Sequence, residues 1–152
     1  MTTRRLFPFL LALSAVGGAT RAADPPVRVT VVAMLASANH AVVDPKLVAL
    51  ADEVRKRHPK LTGFQLSAAL QKSIPVGESA TFALADGQSM KVTINSPKDK
   101  SGRIGITLFP PGMGEIQYTC VCDKFVPLIT PHITKAGERL VIAVLVKPCN
   151  GK

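Results

Sequence analysis

The residues best able to do chemistry in this sequence are its three cysteines, Cys120, Cys122 and Cys149. Cys120 and Cys122 stand two apart, so on a strand both thiols point to the same side. In an oxidising compartment the simplest use of the set is a disulfide between Cys149 and either Cys120 or Cys122. Such a pair forms only if the two Cα atoms come within about 7 Å. Closing the Cys122–Cys149 loop would then stabilise the fold by roughly 3 kcal/mol. The odd thiol would stay buried and free, or react. A metal site would need a fourth ligand, for which His132 is the candidate. The spacing matches no structural zinc pattern, and Cys-x-Cys is not the Cys-x-x-Cys of thiol–disulfide oxidoreductases. No metal ligand set is therefore assigned.

His40, His58 and His132 are the other candidate groups. Acyl-transfer chemistry would need one of them next to a nucleophile and a carboxylate. The sequence has no Gly-x-Ser-x-Gly elbow. The glycines of Pro111-Gly112-Met113-Gly114 precede a strand rather than a helix, so they form no phosphate-binding loop. The acids have structural uses: Asp44 starts a helix and Asp86 makes a turn, while Glu78, Glu115 and Glu138 stand near strand starts. No carboxylate pair for glycoside hydrolysis stands out, and few aromatics are available to stack on a sugar. No catalytic and no cofactor-binding residue is assigned.

The elements that must position these groups are mostly strands. Val27 to Ala36 is Val-rich and becomes apolar on both faces towards its end, as a strand buried on two sides does. Asp44 then offers a carboxylate to the first free N–H groups of a helix, and Pro45 fits the first turn. Val43 and Val48 are spaced for a hydrophobic staple. Leu47, Leu50, Ala51 and Val54 form one apolar stripe. Arg55, Lys56 and Arg57 favour the carbonyl end of the helix dipole, and Pro59 ends the helix.

Beyond it, Phe64, Leu66, Ala68, Leu70 and Ile74 alternate with polar residues, the period of a strand. Phe82 and Leu84 run into Asp86-Gly87, a two-residue hairpin turn, and Met90, Val92 and Ile94 return from it. A second hairpin closes over Ser96–Gly102, with Ile104, Ile106 and Leu108 as the next inward row. Ile116, Tyr118, Cys120 and Cys122 share a further face. Lys124 to Glu138 reads as irregular, with a short edge strand at Phe125 to Ile129. Leu140 to Val146 reads as a central strand.

The start of the chain has another purpose. Arg4 and Arg5 precede an apolar run from Leu6 to Val16, and Thr20-Arg21-Ala22 offers small side chains for cleavage after Ala22. This is the pattern of a secretory signal peptide. The run is shorter than the roughly 20 residues a bilayer span needs. Residues 1–22 are thus expected to be a leader and 23–152 a single β-rich domain, secreted or periplasmic, with no transmembrane segment after cleavage. Losing Arg4, Arg5 and Arg21 takes the formal charge from +9 to +6. That excess favours an anionic envelope component or a protein as partner. Nucleic acid is not expected: there is no Trp, and the basic residues are not interleaved with stacking side chains.

The opening strand to Leu35-Ala36-Ser37, the helix start Val43-Asp44-Pro45, the strand beginning Phe64-Gln65-Leu66, the Gly77 turn and the late apolar run resemble small exported bacterial proteins of unassigned function. The resemblance implies a fold and no activity. The fold class expected is α+β, mostly β: an antiparallel sheet or small β-sandwich of about seven strands with one N-terminal amphipathic helix. The expected function is an exported non-catalytic domain, binding or envelope-associated, with sheet-edge pairing a natural mode. The alternative is a redox or metal-handling protein using Cys120, Cys122 and Cys149. A third reading is a hydrolase assembled from residues distant in sequence.

Overall fold

A computed structural model of the chain describes residues 24–148; the expected leader and Cys149 lie outside the described residues. Among the described residues, eight strands form two four-stranded antiparallel sheets. In chain order the elements are β1 (Val27–Ser37), α1 (Val48–Arg57), β2 (Gly63–Ile74), β3 (Ser79–Ala83), β4 (Ser89–Ile94), β5 (Arg103–Phe109), β6 (Ile116–Val121), β7 (Val126–Ile133) and β8 (Arg139–Pro148). The first sheet has the order β2-β1-β8-β7, and the second is the meander β3-β4-β5-β6. The fold class expected from the sequence is the one observed.

The apolar patterns decide the layering. Val27, Val29, Val31 and Ala33 of β1 and Leu140, Ile142, Val144 and Val146 of β8 face the meander. They meet Phe82, Met90, Val92, Ile94, Ile104, Ile106 and Leu108 there, forming the main core. The alternate residues Val32, Met34 and Ala36 of β1, with Val141 and Ala143 of β8, face the other way and are covered by α1. Central strands covered on both faces must read as continuous apolar runs, which is why β1 and β8 do.

The helix is built as its stripe predicts. Leu47, Leu50, Ala51 and Val54 are buried, and the three basic residues occupy the last turn. The start of the helix differs in detail. Asp44 Oδ1 accepts from the Lys46 N–H at 2.9 Å, but it caps a single 3-10 turn, Pro45–Leu47, and the α-helix begins only at Val48. Val48 is 51 % exposed, so the expected staple does not form. Val43 instead packs beneath the helix and bridges Phe64.

Two further differences concern strands. The row from Phe64 to Ile74 is one strand but not one face. Ala33 pairs with Ala68 while Met34 pairs with Leu66, so Ser67 is an extra residue in β2. This bulge turns Phe64 and Leu66 towards α1, and Ala68 and Leu70 towards the meander. The short edge strand expected at Phe125–Ile129 runs instead from Val126 to Ile133. It holds Pro127 and Pro131, which an edge position tolerates because no neighbour needs their missing donors. Buried Thr130 ties it to the sheet by donating to the Leu140 carbonyl at 2.7 Å.

The turns obey their residues. Asp86 (φ 59°) and Gly87 (φ 70°) are both left-handed, and the Gln88 N–H donates to the Ala85 carbonyl at 3.2 Å. That is the primed hairpin turn expected of Asp-Gly. Asp99 holds the longer β4–β5 loop by accepting from the N–H groups of Ser101 (2.8 Å) and Arg103 (2.9 Å). No helix among the described residues is long and apolar enough to cross a membrane.

Candidate functional site

The cysteines were the first candidates, and β6 disposes of them differently. Cys120 is 1 % exposed and belongs to the core between the sheets. Cys122, just past the end of β6, packs against the same core but is only partly buried. Both thiols are free, and the pairing partner proposed for them, Cys149, lies outside the described residues. Burial pushes the Cys120 thiol up to about 12, with a smaller contribution from Cys122. Burial also raises Cys122; Asp123 and Asp99 add to this and Lys98 opposes it. Thiolate chemistry requires the opposite shift.

The two sites should therefore differ in alkylation. Iodoacetamide on the folded protein at pH 8 is expected to label Cys122 at least ~10-fold faster than Cys120. Labelling of Cys122 should rise as pH climbs, because its thiolate fraction is still growing there. Peptide mass mapping over time reads both sites; equal rates would contradict this burial of Cys120.

The histidines go to three separate places. The His40 ring accepts from the Val42 N–H through Nδ1 at 3.3 Å. His58 follows the last residue of α1, and its N–H donates to the Val54 carbonyl at 2.9 Å. His132 of β7 reaches Asp86 in the β3–β4 turn, with Nε2 and Oδ2 2.8 Å apart. That contact links the two sheets across 46 positions of sequence, a pairing no local pattern announces. Among the described residues no three of His, Cys, Asp and Glu converge on a point that could hold a metal ion. Neither Cys120 nor Cys122 therefore joins His132 and Asp86.

A sizeable concavity lies elsewhere, between α1 and the uncovered part of the first sheet's outer face. It has a volume of about 630 Å³, within the range of small-molecule sites. Val32, Leu47, Leu50, Leu66, Ala69 and Phe125 make its wall. The β2 bulge creates its floor, because only the shifted phase turns Leu66 and Ala69 outward beside Val32 and Met34. Phe125, in the connection between β6 and β7, closes one side and is 40 % exposed.

Three charged residues stand on the lining. Glu53 accepts from Lys56 at 2.8 Å, and that hydrogen bond and charge hold its carboxyl below the ordinary value. Lys46 and Lys124 make no ion pair among the described residues. The groove is thus apolar within and carries two uncompensated ammonium groups. Comparison of the chain with protein-family models, curated proteins and solved structures finds no match.

Proposed function

We propose that this is a non-catalytic binding domain whose groove between α1 and the first sheet takes an anionic amphiphile. The apolar chain lies along Leu66, Ala69 and Phe125, and the anionic head meets Lys46 and Lys124. The single observation behind this reading is the groove itself: about 630 Å³ of apolar-walled space left on the outer face of a sheet whose inner face packs against the meander. Its size and lining suit a ligand anchored by burial and oriented by a few polar groups. The signal-peptide pattern over residues 1–22 supports placing the domain outside the cytoplasm, among envelope lipids and their breakdown products. The positive charge left after cleavage supports an anionic partner there.

The test is displacement of a fluorescent long-chain fatty acid from the purified protein. Saturable binding should weaken as the chain is shortened, and a neutral alcohol of equal length should bind less well. Ala69→Trp fills the floor from an exposed position and is expected to reduce affinity at least ~10-fold with the melting temperature preserved. Lys46→Glu with Lys124→Glu should abolish the preference for the acid over the alcohol. Absence of saturable binding, or unchanged affinity in Ala69→Trp, overturns the proposal.

A further inference from the structure

A second basic feature sits at the far end of α1. Arg57, His58, Lys60 and Arg139 line a cavity of about 290 Å³ together with Pro59 and Leu61, and no carboxylate lines it. The helix's two acids are already engaged with neighbours: Asp52 lies 3.6 Å from Arg55, and Glu53 lies 2.8 Å from Lys56. Arg57 and Lys60 make no ion pair among the described residues.

The helix dipole accounts for only part of this. It favours cations in the last turn, which explains Arg55, Lys56 and Arg57. It does not explain Lys60, which lies beyond the helix. It does not explain Arg139 either, which the fold brings in from the start of β8. Arg139 is moreover held in place: its Nη1 donates to the Thr130 carbonyl at 3.1 Å, and the side chain is partly buried. A fixed guanidinium facing two free cationic side chains across a small cavity is the arrangement that recognises an oxyanion by charge-assisted hydrogen bonds.

We propose that this cavity binds a phosphate group, with Arg139 as the fixed donor and Arg57 and Lys60 as the mobile ones. The site is separate from the groove and does not depend on what the groove binds. The phosphate can be free or carried on a lipid headgroup, and the same residues would meet it.

The test uses the whole purified protein at constant ionic strength, with sodium chloride as reference and inorganic phosphate as probe. Saturable shifts are expected in the amide resonances of residues 57–61 and 139. Lys60→Gln, an exposed change, should weaken phosphate binding at least ~10-fold. Arg139→Met should do the same, with a thermal melt reporting whether the fold persists. Lys98→Gln removes equal charge from the β4–β5 loop and should leave affinity within twofold. A parallel arm measures binding to phosphatidylglycerol vesicles. Competition by phosphate there assigns the site to headgroups, and phosphate binding without vesicle binding assigns it to the free ion; both support the site. Absence of saturable phosphate binding, or equal weakening by Lys98→Gln and Lys60→Gln, overturns it.

Discussion

Phe64→Ala is expected to destabilise the protein by about 3–5 kcal/mol, the range for removing a large buried ring. Phe64 is 1 % exposed and lies under α1 among Leu50, Ala51, Val54 and Met34. The Arg55 guanidinium covers it, 5.5 Å from the ring centroid. Its backbone also secures the approach to the helix: its N–H donates to the Val42 carbonyl and its carbonyl accepts from Asp44, each at 2.9 Å. Alanine keeps those backbone bonds and loses the ring, so the damage should centre on the helix layer. Urea denaturation gives the magnitude. Amide exchange gives the place: α1 should lose protection while β4 and β5, in the other core, keep theirs. A loss below 1 kcal/mol, or uniform deprotection, would mean that the two cores are not separate.

Gly63→Ala, one residue earlier, is expected to cost about 2–3 kcal/mol for a different reason. A Cβ added there would lie 2.2 Å from His40 Nδ1 and 2.8 Å from the His40 carbonyl oxygen. The ring can rotate away, but the carbonyl is backbone and is also held by Thr62 Oγ1, which donates to it at 2.6 Å. His40→Ala in the same chain should therefore recover part of the loss and not all of it, a coupling that a double-mutant cycle in urea resolves. Full recovery would mean that the ring alone forbids a side chain at 63. The effects of Gly63→Ala and Phe64→Ala should not add, since the two residues are neighbours in β2 and bear on one short segment, Gly63 against His40 and the Phe64 ring beside Val43.

What the sequence disclosed, and what it hid, follow from the range of the forces involved. Asp44-Pro45, the stripe from Leu47 to Val54 and the Asp86-Gly87 turn act within a few residues, so their patterns were legible. So were β1 and β8, whose double-sided burial leaves an unbroken apolar run. The Ser67 bulge was invisible because Leu66-Ser67-Ala68 keeps its alternation while the backbone changes phase beneath it. Tyr118 fits the inward row by spacing, yet it is 43 % exposed on the outermost strand of the meander. The groove and the phosphate cavity were hidden for a third reason. Each needs parts of the chain that only the finished fold brings together, such as Leu66 with Phe125 and Lys60 with Arg139.

The order in which the strands are made is not the order in which they pair. The meander is one uninterrupted stretch, from Ser79 to Val121, and each strand can join its neighbour as soon as both exist. The other sheet has at its middle β1, the first strand, paired along nearly its whole length with β8, the last. During synthesis β1 must therefore wait, with β2 on one edge and nothing on the other, until residues 139–148 have left the ribosome. One long edge of β1 stays unpaired and both cores lack their β8 residues for all that time, which makes the nascent chain a natural client for a holding chaperone.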